Sequence, residues 1–234
     1  MKESRLSAPK TKPRVLTALR SSSNNPVVTW SIIALCAVVY VLQLVTNGVV
    51  TNALFYAPVL TESQPWRMVT ALFLHSPVTF LHILFNMYAL FIFGPILERG
   101  LGRWRFIALY LLSGLGGSVA VLLLAPESGV LGASGAIFGL FSAFFVIQRR
   151  MGGNTLQMVI VIGLNLAIGF ILPQISWQAH IGGLVVGAVV ALLFLRTRAV
   201  AKRNEQLILL GAVLVGLIVL TVLGVIILHA RFGF

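Results

Sequence analysis

Long apolar stretches alternate with short basic ones along most of the chain. A helix that crosses a membrane needs about 20 mostly apolar residues, and seven segments reach or approach that length. They are residues 27–46, 80–98, 104–125, 134–148, 155–173, 179–195 and 207–229. The pattern predicts an all-α, polytopic membrane protein with seven transmembrane helices.

Composition supports the membrane assignment and removes several kinds of chemistry. Hydrophobic residues make up 59% of the 234-residue chain and charged residues only 9%, whereas soluble domains contain about 25% charged residues. The chain has no Asp, which excludes an Asp-based catalytic triad, a pair of aspartyl-protease carboxylates and a Walker B magnesium ligand. The single cysteine, Cys36, excludes an intrachain disulfide and a thiolate zinc cage. We expect neither a metal nor a cofactor.

The 17 Lys and Arg residues and five Glu residues give a net charge of +12, and the positions of the basic residues predict the topology. If the N-terminus is inside, fifteen of them fall in inner segments and only Arg67 and Arg231 fall outside. This split follows the positive-inside rule and predicts a cytoplasmic N-terminus and an extracytoplasmic C-terminus. The charge therefore does not call for nucleic acid as a partner, and the basic tail, residues 1–25, is predicted to be attracted to the anionic surface of the lipid bilayer.

Four polar residues lie inside predicted spans, where they are costly and therefore functional candidates. They are His82, Asn86, Ser134 and His180. Counted at 1.5 Å per residue from the inner arginine of each span, all four lie about 20 to 26 Å above the inner face. In a hydrocarbon core about 30 Å thick, this depth is a single layer near the outer surface.

Glycines predict that two of these helices approach closely. Each carries a G-x-x-x-G face just beneath its polar residue, a spacing that lets transmembrane helices pack tightly. The glycines are Gly135 and Gly139 after Ser134, and Gly183 and Gly187 after His180. If the two faces pack together, Ser134 and His180 come within hydrogen-bonding reach.

Acyl transfer suits this set of residues. Ser134 would be the nucleophile and His180 the general base, and with no carboxylate at this depth the arrangement would be a dyad. His82, Asn86 and the backbone N–H of Ser134 could donate to the oxyanion. Each residue also has a plainer interpretation: Ser134 as a small packing residue, Asn86 as an interhelical hydrogen-bonder, and the histidines as parts of a proton relay or ligand site.

Other polar residues are given structural interpretations. Trp66 and Arg67 are predicted to anchor the outer connection at the interface, with the arginine capping loop carbonyls. Glu98 and Arg99 are predicted to form an ion pair at the inner end of the second span. His75, in the outer connection, is predicted to be solvated or interfacial.

Five sequence features together resemble the rhomboid family of intramembrane serine proteases, in family order and spacing over residues 27–196. They are the Trp66-Arg67 pair, the H-x-x-x-N of His82 to Asn86, the GPILERGLG segment that contains Glu98, the G-A-S-G of Gly132 to Gly135, and the A-H-x-x-G-x-x-x-G of Ala179 to Gly187. One detail departs from the family: many members have an acidic residue shortly before the catalytic His, where this chain has Ser176.

The resemblance implies a six-helix core, no cofactor or metal, and roles for the matched residues. Ser134 would be the nucleophile, His180 the base, and His82 and Asn86 part of the oxyanion site. The remaining matched residues would be structural, namely Trp66, Arg67, Glu98, Gly132, Gly135, Gly139, Gly183 and Gly187. The substrates would be single-pass membrane proteins, cut near the outer end of their transmembrane helix.

The chain is accordingly divided into a basic cytoplasmic tail (1–25), a six-helix rhomboid-like core (26–199), and a basic linker with a seventh transmembrane helix (200–234). The function expected is that of an intramembrane serine endopeptidase in a plasma membrane, and the short chain without a targeting peptide is typical of a bacterial one. Two alternatives remain: a non-catalytic membrane chaperone or scaffold that binds transmembrane helices, and a small-solute transporter. Absence of internal repeats argues against the transporter.

Overall fold

The computed structural model describes residues 25–172 and 174–233, and every long element within them is a helix. The α-helices there are α1 (Val27–Val45), α2 (Val49–Leu54), α3 (Arg67–Thr70), α4 (Phe80–Leu101), α5 (Arg103–Leu124), α6 (Ser134–Arg150), α7 (Leu156–Ile171), α8 (Trp177–Arg196) and α9 (Arg203–Phe232). Short 3₁₀ turns occupy Pro58–Leu60, Ala71–Phe73 and Val200–Lys202. The predicted basic tail lies outside the described residues except for Asn25.

The seven long helices coincide with the seven predicted apolar segments. Five of them, α1, α4, α5, α8 and α9, are long and apolar enough to cross a membrane by length and composition. The helix α7 is apolar but has only 16 residues, and α6 has 17. The all-α, polytopic architecture is confirmed, and the count of seven spans stays a prediction.

Local sequence explains where the helices around the site begin. Gly102 separates α4 from α5 with φ +87°, a backbone conformation that side-chain-bearing residues rarely adopt. The side chain of Ser176 accepts a hydrogen bond from the Ala179 N–H at 3.3 Å and so caps the N-terminus of α8. Serine at the position that departs from the family pattern therefore has a structural role here.

The centre of the molecule is a three-helix contact among α5, α6 and α8, made through glycines. A methyl group added to Gly183 of α8 would strike the carbonyl oxygen of Gly135 on α6, and one added to Gly187 would strike the backbone of Gly139. On α5, a methyl group at Gly117 would come within 2.9 Å of the Ala179 carbonyl oxygen. Backbone-to-backbone packing of this kind is possible only without side chains at the contact.

The connection between α1 and α4 braces the segment that leads into α6. Tyr56 and Val130 exchange backbone hydrogen bonds of 3.0 and 2.7 Å, and the Gly132 N–H donates to the Ala71 carbonyl at 2.9 Å. This connection therefore fixes the entry to α6 from two sides.

Arg67 holds the same connection together from within. It is buried, and its Nη1 donates to the carbonyl oxygens of Asn52 at 2.7 Å and Phe55 at 3.0 Å. Trp66 beside it is 54% exposed, as an interfacial residue would be.

Glu98 does not form the ion pair with Arg99 that the sequence favoured. Its carboxylate is buried and accepts hydrogen bonds from the backbone N–H of Val28 at 3.0 Å, and from the N–H and hydroxyl of Thr29, both at 2.7 Å. The first N–H groups of a helix lack intrahelical partners and favour a negative charge. Glu98 therefore ties the end of α4 to the start of α1.

The last helix, α9, packs against α5 along a stripe of small and apolar residues. Gln206 begins this contact by accepting a hydrogen bond from Arg105 Nε at 2.9 Å and donating one to Thr197 Oγ1 at 2.6 Å. At the far end of α9, His229 lies 3.2 Å from the carboxylate of Glu62 in the α1–α4 connection. The seventh helix is thus attached to the bundle at both ends.

Candidate active site

The helices that carry Ser134 and His180 contact each other at the residues next to these two. Ser134 is the first residue of α6 and is half-buried, while His180 lies in the first turn of α8 and is buried. Their chain neighbours are in direct contact, because a methyl group on Gly135 would lie 3.3 Å from the carbonyl oxygen of Ala179. The first turns of α6 and α8, which carry the two candidate catalytic residues, therefore meet at one end of the bundle.

The imidazole of His180 is held by a ring contact. It stacks on Phe138 with ring centroids 4.1 Å apart and planes 12° from parallel. Its Nδ1 is buried without a hydrogen-bond partner among the described residues, and the backbone of Gly169 on α7 packs over it, since a methyl group there would lie 3.4 Å from Nδ1. No carboxylate among the described residues contacts this ring.

His82, on α4, lies beside Gly132, close to Ser134. Its Nε2 would lie 2.8 Å from a methyl group on Gly132, and Ser134 Oγ would lie 3.9 Å from the same point. The ring nitrogen Nδ1 accepts a hydrogen bond from the backbone N–H of Ser76 at 3.2 Å. A neutral histidine that accepts at Nδ1 carries its proton on Nε2, so His82 presents a donor toward the start of α6.

Asn86 lies one helical turn below His82 and is buried. Its side-chain amide donates to the carbonyl oxygen of His82 at 2.7 Å, a bond within α4 itself. The amide has two N–H groups, so a second donor remains beyond this bond. The structure thus brings His82 and Asn86 to one face of α4 and joins them by one hydrogen bond.

Gly132 occupies a position that only glycine suits. Its φ of +128° lies in a region that L-residues rarely adopt, and any side chain would collide with the ring of His82. The motif glycine therefore allows His82 to approach the Ser134 hydroxyl.

His75 is not solvated, contrary to the sequence interpretation. It is fully buried, and its ring centroid lies 5.3 Å from that of His82. Its backbone is held by the side chain of Gln43, which accepts from the His75 N–H at 3.0 Å and donates to the His75 carbonyl at 2.9 Å. Burial, assisted by the neighbouring His82, lowers the pKa of His75 to about 3.

Two residues in contact with His180 were missed by sequence reasoning. An aromatic residue such as Phe138 on a membrane helix ordinarily indicates lipid or core packing, and Gly169 belongs to none of the sequence motifs. The spacing of Phe138, four residues after Ser134, places it on the same face of α6 and was the available signal. No comparable signal existed for Gly169, which is one of two buried residues on α7.

Within residues 25–172 and 174–233 there is no group of three or more His, Cys, Asp or Glu side chains that could hold a metal ion.

Comparison with known proteins agrees with this arrangement of an all-helical membrane protein. Residues 62–197 match the family model described as the Rhomboid domain. Rhomboid protease GluP of Bacillus subtilis is 32% identical over 207 residues, which cover 83% of this chain and 40% of that protein. RHOMBOID-like protein 6, mitochondrial, of Arabidopsis thaliana is 37% identical over 143 residues, 58% of this chain and 46% of that protein.

The matched segment includes every candidate site residue and more than half of the chain. The chain is thus a multi-pass membrane protein, and it belongs to the rhomboid family. It spans less than half the length of the curated relatives just described.

Proposed function

We propose that the chain is an intramembrane serine endopeptidase that hydrolyses a peptide bond in or near the outer end of a transmembrane segment. The observation that supports the proposal is the contact between Gly135 and Ala179, because these two residues are the chain neighbours of Ser134 and His180. Family membership and the protease name of the Bacillus subtilis relative support the same activity.

In the proposed mechanism, Ser134 attacks the carbonyl carbon of the scissile bond while His180 accepts its proton. Since Nδ1 of His180 faces Gly169, Nε2 is the nitrogen available to the serine. The tetrahedral intermediate then collapses, and His180 returns the proton to the leaving amine. Water then attacks the carbonyl carbon of the acyl-enzyme while His180 accepts its proton. His180 returns that proton to the oxygen of Ser134 as the acyl group leaves. Stacking on Phe138 holds the imidazole in place without a third, acidic residue.

Stabilisation of the oxyanion would come from three donors. They are Nε2–H of His82, the remaining amide N–H of Asn86 and the backbone N–H of Ser134 at the start of α6. Preorganised donors in a site shielded from water stabilise developing charge strongly; removal of one such donor typically costs about 100- to 1,000-fold in kcat.

We further propose the setting of the activity. The substrates are single-pass membrane proteins within the bilayer, and the core that acts on them comprises residues 26–199. The tail, residues 1–25, is cytoplasmic and the C-terminus, after the seventh helix of segment 200–234, is extracytoplasmic, in a bacterial plasma membrane. Because a regular helix shields its backbone carbonyls, the substrate helix has to unwind before Ser134 can reach the bond.

The proposal is tested with a transmembrane reporter substrate in liposomes and with a fluorophosphonate probe. We expect the wild type to cut the reporter and to be labelled, and Ser134→Ala and His180→Ala to lose cleavage by at least about 1,000-fold. Ser142→Ala is the matched control, because Ser142 lies on the same helix but bonds only to the Gly139 carbonyl at 3.0 Å. Folded wild-type protein that neither cuts nor becomes labelled would contradict the proposal and favour the helix-binding scaffold.

A further inference from the structure

The arginine-bearing ends of α6 and α8 enclose a cavity of about 600 Å³. It lies about 15 residues along α6 from Ser134, or roughly 22 Å at the helical rise, and so is separate from the candidate active site. We propose that this cavity binds one anionic phospholipid, with the phosphate among its arginines and an acyl chain along its apolar wall.

Large apolar side chains form the wall of the cavity. Phe145 contributes from α6, and Leu192 and Leu195 contribute from α8. Leu192 is 56% exposed, so this wall opens at the surface of the bundle rather than into its core. In a multi-pass membrane protein an opening of this kind faces the bilayer, and its occupant has to be at least partly apolar.

Three arginine residues line the same cavity. They are Arg149 and Arg150, which end α6, and Arg196, which ends α8. Only Arg196 has a carboxylate partner among the described residues, Glu205 at 3.1 Å. Guanidinium groups bind phosphate oxygens with paired N–H donors, and basic pockets between transmembrane helices are typical sites for anionic lipid headgroups.

The chain offers no other anion for Arg149 and Arg150 in its described part. Of the five acidic residues in the sequence, four lie there. Glu98 is buried against the start of α1, Glu62 faces His229, and Glu127 follows the opposite end of α5. Among the described residues no carboxylate neutralises Arg149 or Arg150, and a phosphodiester joined to an acyl chain matches both the charged rim and the apolar wall.

Topology alone does not explain this site. Arginines in the last turn of a helix complement its dipole, and the positive-inside rule accounts for basic residues at this face. Arg99, in the last turn of α4, and Arg198, just after α8, satisfy both rules and do not line the cavity. They are the matched control for a test that separates a built site from general attraction between a basic face and anionic lipid.

The test is the thermal melting of the purified full-length chain in an uncharged detergent, titrated with dioleoyl phosphatidylglycerol. We expect a saturable rise in melting temperature with this lipid and none with dioleoyl phosphatidylcholine. The double variant Arg149→Gln/Arg150→Gln should need at least about tenfold more lipid for half the rise, since each surface cation contributes about a factor of five or more. Arg99→Gln/Arg198→Gln should stay within about twofold of the wild type.

A second variant keeps the proposal falsifiable if the arginine variant fails to fold. Leu192→Trp fills the apolar wall without changing any charge, and it should weaken the response to phosphatidylglycerol by a comparable factor. Glycerol 3-phosphate alone should give no stabilisation, because it lacks the acyl chain. Stabilisation by glycerol 3-phosphate or phosphatidylcholine, an equal loss in the control variant, or an unchanged response in Leu192→Trp would each overturn the proposal.

Discussion

The helices α6 and α8 differ at their two ends. At the Ser134 end, where both helices begin, glycines bring the two backbones together. At the arginine end, where both helices finish, large side chains line a cavity between them. Gly135 and Gly139 contact Gly183 and Gly187 through the backbone. About three helical turns beyond Ser134 and His180, Phe145 and Leu192 line an open space. Small residues let the backbones meet and leave no room between them, while large residues hold them apart. One helix pair thus brings the chain neighbours of Ser134 and His180 into contact at one end and leaves an opening at the other.

The largest expected effect comes from opening the glycine contact. Gly183→Ala places a methyl group against the carbonyl oxygen of Gly135, and because neither backbone can shift without disturbing the bundle, we expect a loss of about 3 kcal/mol or more in stability. Cleavage of the reporter should fall below detection. Melting temperature in detergent and reporter cleavage measure the two effects.

Gly163→Ala is the control for that change. Gly163 is a helical glycine on α7 with no atom within 4 Å of an added methyl group, and alanine there favours the helix by about 1 kcal/mol. We expect unchanged cleavage and an equal or higher melting temperature. If Gly183→Ala behaves like Gly163→Ala, the backbone contact is not what aligns Ser134 with His180.

A smaller effect is expected from the ring that supports His180. Phe138→Leu keeps an apolar side chain of similar volume, at a cost of less than about 1.5 kcal/mol in stability, but removes the stacked face under the imidazole. A misplaced base can slow the chemical step by about 100-fold, so kcat should fall roughly 10- to 100-fold while KM changes little. Steady-state kinetics on the reporter substrate measures both constants.

Phe141→Leu separates support of the imidazole from general packing. Phe141 lies on the same helix and is as well buried, but its ring meets Phe93 edge-on at 4.9 Å and lies tilted against Phe138 at 5.7 Å rather than under His180. Its leucine variant should match Phe138→Leu in melting temperature and the wild type in kcat. Equal loss of kcat in both variants would mean that Phe138 is a packing residue only.

The sequence predicts the Ser134 end of this comparison well. Apolar runs gave the positions of the long helices, because a helix in lipid has to be apolar over about 20 residues. The polar layer and the G-x-x-x-G faces followed from spacing along single helices, and the structure has Gly135 against Gly183 as that spacing suggests. Local patterns of this kind are visible in a sequence because each depends on one helix at a time.

Features that depend on distant partners were not predictable. Glu98 caps a helix that begins about 70 positions earlier in the chain, and nothing near Glu98 indicates that partner. A histidine in a connecting segment usually faces water. His75 is buried instead, and Gln43 on α1 binds its backbone. Phe138 supports His180, although an aromatic side chain on a membrane helix ordinarily faces lipid or core. The cavity at the arginine end likewise results from two helices together.

The smallest expected effect concerns pH. The Ser134 end of the molecule contains a buried histidine, whose charge depends on pH, whereas the arginine end contains guanidinium groups, which stay charged. His75, near the Ser134 end, is buried and neutral, and its pKa is lowered from 6.5 to about 3. Between these values the unfolded chain binds a proton at this residue that the folded chain does not. Stability therefore falls as the pH drops from 6.5 toward 3, by up to about 1.4 kcal/mol per pH unit, and this contribution is constant above 6.5.

His75→Leu removes that contribution. Melting curves in detergent from pH 8 to pH 4 should be flatter for the variant than for the wild type, with the difference at pH 8 reporting packing and the burial of the neutral imidazole together. Arg149→Gln/Arg150→Gln, at the other end, should keep the wild-type slope, because guanidinium groups stay charged over this range. If melting temperature falls with pH as steeply in His75→Leu as in the wild type, His75 gains no proton on unfolding. The burial of His75 beside His82 would then not make the Ser134 end of the molecule sensitive to acid.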